Sequence, residues 1–332
     1  MADQQLPRSP RFIIIGVQKC GTTAMYDYMV THSLIRRAQF KETHFWDWKY
    51  DWVLGSHQPN RAQQKLLQTW RKESPIDDVM EVVEYVEKTP LTVAQERHLH
   101  DAYPLVFSLQ TLVGNKSLIS GEATPSYLLM GRTVASRIKK HCPKTKLIVC
   151  VRDPVARAYS QYNMTKDPSG SDAQRRQRGH SELGQKTFDQ VIEAELALLE
   201  AAGISPNSSC DDFQKLLDSI QWTSQGEYFH GGHSFVIRGL YALQLKLWLE
   251  FFDPNSFCIV RLEDLSKDPS AQLSRVYSHI GIPFEPLPSP AEPKNARSYD
   301  QPMSDHIRQK LVSFYAPFNS QFEELCALHW AS

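Results

Sequence analysis

Residues 12–23 constrain the fold more than any other stretch. Phe12-Ile13-Ile14-Ile15-Gly16 is a short unbroken apolar run, the mark of a strand covered on both faces. It leads directly into Gly16-Val17-Gln18-Lys19-Cys20-Gly21-Thr22-Thr23, and Thr22 to Val30 reads as a helix. Strand, glycine-spaced loop and helix in that order form a phosphate cradle. Glycines let backbone N–H groups converge on an anion, and the helix N-terminus adds its positive dipole end. Thr22 and Thr23 add hydroxyl donors, and Lys19 supplies a cation inside the loop. A bare pair of spaced glycines would read equally well as a turn without a ligand. The loop lysine and the paired threonines favour phosphate.

The cradle differs from that of ATPases, which place a lysine directly after the second glycine. Here Thr22 stands there, and no convincing acidic strand end for Mg²⁺ follows. A second buried strand, Lys146-Leu147-Ile148-Val149-Cys150-Val151, ends in Arg152-Asp153-Pro154. The helix expected from about Pro154 carries Arg157, Tyr159 and Ser160. An arginine at a strand's C-terminal end, with a serine two turns into the next helix, can clamp a second phosphate. Alone, Arg152-Asp153 reads as a structural ion pair. Together the two loops describe a nucleotide with two separated phosphate groups.

Strands and helices alternate onward. Phe257-Cys258-Ile259-Val260 is a third buried run. The pattern predicts a parallel α/β sheet flanked by helices. Thr187 and Gln190 form a capping box before Phe188, Val191, Ile192, Leu196 and Leu199, which share a face. Asp268 caps a helix that has Pro269 at its first position, and Gly281 and Pro283 stop it. Ser304 caps another, with Ile307, Leu311 and Phe314 inward and Pro317 interrupting it. Residues 51–115 and 166–186 read as insertions, the second as a mobile polar loop containing Arg175-Arg176-Gln177-Arg178.

Composition excludes some classes. Lys plus Arg and Asp plus Glu both number 37, so no global charge argues for nucleic acid or an acidic membrane. No apolar run approaches the roughly 20 residues of a spanning helix. The cysteines, at 20, 142, 150, 210, 258 and 326, show no zinc spacing and read as reduced and structural. Asn115, Asn163 and Asn207 begin glycosylation tripeptides, with Asn163 poorly placed for a glycan.

These residues resemble the sulfotransferases that use 3′-phosphoadenosine 5′-phosphosulfate (PAPS), most of all the Golgi glycosaminoglycan branch with the heparan sulfate N- and 3-O-sulfotransferases. Residues 16–24 resemble the family's 5′-phosphosulfate loop, and residues 151–162 its 3′-phosphate motif. Lys41-Glu42-Thr43-His44-Phe45-Trp46-Asp47 looks like the segment carrying the catalytic base. Gly121-Glu122-Ala123-Thr124-Pro125-Ser126-Tyr127, Arg261-Leu262-Glu263-Asp264-Leu265 and Gly281-Ile282-Pro283-Phe284 match further motifs. Residues 294–299 resemble the loop that closes on the nucleotide.

The resemblance implies a single sulfotransferase domain over 11–332, after a flexible N-terminus at 1–10. It implies Lys19 as the residue that stabilises the leaving phosphate, Glu42 as the base and His44 as its helper. Gly21, Thr22, Thr23 and Ala24 would hold the 5′-phosphate, Arg152 and Ser160 the 3′-phosphate, and Arg297 with Ser298 would close the site. PAPS would be the donor and no metal would be required, since a lysine can offset the charge developing on the bridging oxygen. Cys20 reads as a loop filler, because no dedicated histidine base flanks it.

Two departures qualify the resemblance. Ala123 stands where heparan enzymes often have lysine, and residues 283–297 lack the cysteines of a disulfide hairpin. The resemblance implies a carbohydrate acceptor, glycosaminoglycan-like, and these departures keep a small molecule open as the alternative. A Mg²⁺-dependent nucleotide kinase and a non-catalytic nucleotide or glycan binder are readings from other classes. Arg36, Arg37, Arg137, Lys139, Lys140 and the 175–178 cluster are basic candidates for the acceptor surface, each also readable as a solvated face. Trp46, Trp48 and Trp52 are candidates for stacking on sugars, core packing being the equal alternative. Location follows the acceptor: Golgi lumen for an anchor-less catalytic domain, cytoplasm otherwise.

Overall fold

The structure is a computed structural model that describes residues 10–38, 41–47, 50, 118–220, 223–224, 227–228, 234–289 and 302–326. Its centre is a five-stranded sheet. The strands are β1 (Phe12–Gly16), β2 (Ile35–Arg37), β3 (Ile119–Ala123), β4 (Lys146–Val151) and β7 (Phe257–Arg261), in the order β2-β3-β1-β4-β7. Every pairing is parallel. A small antiparallel pair, β5 (Thr223–Ser224) and β6 (Glu227–Tyr228), stands apart from it. The expected α/β architecture is thus present.

Parallel strands are buried on both faces, which is why β1 reads as a continuous apolar run. Phe12, Ile13, Ile14 and Ile15 are fully buried, each contributing about 2 kcal/mol of apolar transfer. Helices cover the sheet: α1 (Thr22–Met29), α2 (Gly131–His141) and, further on, α8 (Tyr241–Leu249), α9 (Leu262–Lys267) and α10 (Pro269–Ile280), while α3 (Pro154–Lys166) follows β4 and packs elsewhere. A second apolar cluster lies among α3, α6 (Phe188–Ala201), α7 (Cys210–Ser219), the 235–247 stretch and α11 (Asp305–Cys326).

Sheet order positions the site. From β1 the chain moves to β2 and β3 on one side, then to β4 and β7 on the other. The crevice at such a switch point, beyond the strands' C-terminal ends, is where open α/β sheets bind ligands. The loop after β1 lies against the end of β4 there, Val17 N–H donating to the Cys150 carbonyl at 2.7 Å.

The helix signals read from the sequence hold at their ends. Thr187 and Gln190 close a reciprocal capping box on α6. Asp268 caps α10, and Gly281, at φ 76°, ends it. Two expectations fail. Residues 166–186 contain α4 (Asp172–Gln177) and α5 (His180–Leu183) rather than a mobile loop. Arg175 donates to the Pro168 and Gly170 carbonyls at 3.2 and 2.7 Å, and Arg178 to the Asp167 carbonyl at 3.1 Å. These arginines fold the segment onto itself, which a polar composition does not reveal.

Nor does Pro317 interrupt α11, which runs from Asp305 to Cys326. Pro317 and Ser313, whose carbonyl loses its partner, both lie on the exposed face, where water can take the bond. Ile307, Leu311, Tyr315, Phe318 and Phe322 form the buried stripe, while Phe314 is half-buried. The 51–115 insertion lies outside the described residues.

Candidate active site

The first loop is organised by its backbone. Gly21 occupies the helix N-cap at φ 80°, a left-handed conformation that favours glycine. A Cβ there would also come within 2.6 Å of Leu262 Cδ1, so the Arg261-Leu262-Glu263 motif packs directly on the loop. No side chain caps α1. The first bond into the helix is Met25 N–H to the Gly21 carbonyl, at 2.9 Å. The amides of Thr22, Thr23 and Ala24 therefore stand at the open end of the helix, the arrangement an anion needs. Thr22 is buried, and among the described residues its hydroxyl makes no hydrogen bond.

Lys19 lies half-buried in the loop at φ 71°. Cys20 is fully buried beneath it. Burial pushes its thiol up to about 12, against the opposing influence of Arg157, Tyr241 and Arg152. A thiol held protonated is no nucleophile, in line with its reading as a filler.

The second loop leaves its arginine available. Asp153 does not pair with Arg152. It caps α3, accepting from Ala156 N–H at 2.9 Å and Val155 N–H at 3.4 Å. Its own N–H donates to Glu263 at 3.1 Å. Among the described residues the Arg152 guanidinium makes no hydrogen bond or ion pair, and neither does the buried Ser160 hydroxyl. Arg157, in contrast, points away into the protein. It donates to Gln161 at 2.8 Å and to the Phe235 carbonyl, anchoring α3 from below. Asn163 donates to the Tyr159 carbonyl at 2.8 Å within the helix, so it is embedded in regular structure.

Tyr241, which sequence reasoning did not single out, fastens the two loops together. Its hydroxyl donates to the Arg152 carbonyl at 2.9 Å and lies 3.7 Å from Cys20 Sγ. Only the fold brings a residue so distant in sequence to this point.

The segment 41–47 lies against β3. Ala123 N–H donates to the Lys41 carbonyl and Thr43 N–H to Thr124 Oγ1, at 2.9 and 3.1 Å. The anchor is Glu122, fully buried. Its carboxylate accepts from Thr43 Oγ1 at 2.5 Å and Thr124 Oγ1 at 2.7 Å, with the Tyr127 hydroxyl at 3.4 Å.

Glu42 is about one-third exposed. It pairs with Lys41 in a partly buried setting. Lys41 Nζ lies 2.8 Å from Glu42 Oε1 and donates to Thr23 Oγ1 at 2.6 Å, with its side chain 20% exposed. His44 Nε2 lies 3.8 Å from Glu42 Oε2. His44 Nδ1 lies 2.9 Å from Asp47 Oδ2, which also accepts from Ser126 Oγ at 2.7 Å. Burial alone would lower the imidazole, but Asp47 and then Glu42 outweigh it and lift its pKa to about 9. His44 is therefore an imidazolium between two carboxylates at neutral pH.

The acceptor-surface candidates divide. Trp46 is buried, stacked on His141 with centroids 5.3 Å apart, so it is core and not a sugar platform. Arg137 donates to the Trp46 and Asp47 carbonyls and lies over Tyr50, bracing the 41–47 segment. Arg37 pairs with Asp27 at 2.7 Å, Arg36 donates to the Ser33 carbonyl at 2.8 Å, and Lys139 lies over Phe252. Lys140 is exposed. Trp48, Trp52, Arg297 and Ser298 lie outside the described residues.

This fold defines a parallel α/β protein whose first loop leads into an uncapped helix N-terminus. The sequence pattern described as "Sulfotransferase domain" matches residues 9–313, and the chain belongs to that family. It is 24% identical over 341 residues to human carbohydrate sulfotransferase 15, covering 96% of this chain and 53% of that protein. It is 26% identical over 282 residues to human heparan sulfate glucosamine 3-O-sulfotransferase 3A1, covering 85% of this chain and 47% of that one. The chain thus spans about half the length of these relatives. The crystal structure of a sulfotransferase from Alicyclobacillus acidocaldarius shares the fold, with TM-score 0.57, 19% identity and 97% of each chain covered.

Proposed function

We propose that this chain transfers a sulfuryl group from PAPS to a carbohydrate hydroxyl or amine. One observation carries the reading. Two loops meet at the switch point of the sheet, and their ligand-type groups, the Thr22 and Ser160 hydroxyls and the Arg152 guanidinium, are engaged by no described neighbour. A donor set of hydroxyls, helix amides and one guanidinium fits two separate phosphates. The bound donor supplies an activated sulfuryl group on its 5′-phosphate.

Gly21, Thr22, Thr23 and Ala24 hold the 5′-phosphate, and Arg152 and Ser160 hold the 3′-phosphate. Lys19 stabilises the charge that develops on the departing phosphate oxygen. Glu42 takes the acceptor's proton as its oxygen or nitrogen bonds to sulfur and the sulfur–oxygen bond to phosphate breaks. The products are the sulfated acceptor and adenosine 3′,5′-bisphosphate. His44, cationic and braced by Asp47, steadies the Glu42 carboxylate. Arg297 and Ser298 are assigned to nucleotide contact by the family resemblance alone. None of these roles calls for a metal.

The carbohydrate acceptor is supported by the relatives, whose names specify carbohydrate and heparan sulfate glucosamine. The test is transfer of radiolabelled sulfuryl from PAPS, in EDTA, to glycosaminoglycans, simple glycosides and phenols in parallel. Labelled glycan supports the reading. Label appearing only on phenols moves the acceptor to small molecules. Label appearing nowhere, from a folded protein, contradicts the enzyme assignment.

A further inference from the structure

We infer that Lys41 is a positioning residue that ties the base to the donor loop and aims the Glu42 carboxylate. The inference rests on the function proposed above. Thr23 belongs to α1, the helix that opens the phosphate loop, whereas Glu42 belongs to the segment pinned on β3. Lys41 joins the two through one ammonium, 2.6 Å from Thr23 Oγ1 and 2.8 Å from Glu42 Oε1.

Three features distinguish this from an ordinary surface ion pair. First, the ammonium's own backbone is fixed, since the Lys41 carbonyl accepts from Ala123 N–H at 2.9 Å. A lysine with an anchored stem holds its head in one place at a smaller entropic cost. Second, the two oxygens of Glu42 face different cations. Lys41 approaches Oε1 at 2.8 Å, and His44 Nε2 approaches Oε2 at 3.8 Å. A carboxylate gripped at each oxygen by a separate cation has its plane set. Third, the Lys41 side chain is largely withdrawn from solvent, 20% exposed. Its charge is felt by the Cys150 thiol on β4, where it opposes the upward push of burial.

The chemical consequence concerns geometry. A base must lie within hydrogen-bond reach of the proton it removes, and the acceptor must be in line with the sulfur. Thr23 marks where the 5′-phosphate end of the donor lies. Through Lys41, the base is registered against that end.

The test compares wild type, Lys41→Met and Lys41→Arg by steady-state sulfuryl transfer and by calorimetry with adenosine 3′,5′-bisphosphate. Lys41→Met is expected to lose about 100-fold in kcat, the scale of a misplaced reacting group. Its bisphosphate affinity and its KM for PAPS should stay near wild type. Lys41→Arg, which keeps a cation with several donors, should recover part of kcat. Wild-type kcat in Lys41→Met overturns the inference. So does a loss of bisphosphate affinity in step with kcat, which would make Lys41 a donor ligand or a structural prop. If Lys41→Met lacks a cooperative thermal transition, Lys41→Gln is judged by the same criteria. A wild type that transfers sulfuryl to nothing overturns the proposed function and this inference together, whereas normal turnover in Lys41→Met overturns the inference alone.

Discussion

The phosphate-loop side and the base side of this site spend their polar groups differently. Around the loops, the Thr22 and Ser160 hydroxyls and the Arg152 guanidinium make no hydrogen bond or ion pair with any described residue. On the segment 41–47, the polar side chains are engaged with one another and with β3, through Glu122, Ser126 and Thr124. Under the proposed function, one side is held open for charged ligand atoms. The other must place a single carboxylate accurately, and it does so with a closed network. The difference teaches that binding here is prepared by backbone shape, and chemistry by side-chain scaffolding.

The largest effect expected is on turnover. Glu42→Gln keeps the shape and removes the base, so sulfuryl transfer should fall about 10²- to 10⁴-fold. Adenosine 3′,5′-bisphosphate should still bind, as calorimetry would show. Retained activity would move the base elsewhere and break the contrast between the two sides.

Glu122→Ala attacks the scaffold. It leaves the hydroxyls of Thr43, Thr124 and Tyr127 buried without their acceptor, which should cost about 3 kcal/mol in urea denaturation. An equally large effect from Ser160→Ala would erase the distinction, because that hydroxyl has no described partner to lose.

His44 gives the network a pH signature. Its folded pKa, about 9, lies above its ordinary value of 6.5. The proton is therefore bound more tightly in the folded state. Its stabilising contribution is complete below pH 6.5 and is lost as pH rises through about 9. The stability gap between wild type and His44→Gln, on the order of 2 kcal/mol, should narrow over that window. A gap independent of pH would mean that His44 is packed there as a neutral ring.

The smallest effect belongs to the basic segment. Arg175 hydrogen-bonds its own turn. Arg175→Ala should change stability by no more than about 0.5 kcal/mol and leave glycan turnover unaltered. A selective loss of glycan turnover would return the segment to the acceptor surface.

The same contrast explains what could be read from the sequence. β1, its glycine loop and α1 are contiguous, so strand burial, the Gly21 conformation and the helix end all show within residues 12–29. Arg152 and Ser160 share another such local unit, β4 with α3. The base network is not local. Thr43 meets Glu122 and Asp47 meets Ser126 across long separations in the chain. Their motifs were visible, but not their mutual roles. The misread 166–186 stretch has the same cause in reverse, since its polarity hides arginines that bond the chain's own carbonyls. Glu195 was hidden as well, as a carboxyl on the apolar face of α6. Burial lifts it to about 7, against the opposing Ile237, Val236 and Phe235 amides and Arg157.

The central claim is that the two loops form a site for a nucleotide with separated phosphates. The most direct measurement is isothermal calorimetry with adenosine 3′,5′-bisphosphate in EDTA, for wild type and Arg152→Ala. The account predicts binding without metal that weakens about 10- to 100-fold when the guanidinium is removed, the scale of a charge-assisted hydrogen bond. Failure of a folded wild type to bind, or equal affinity in the variant, would contradict it.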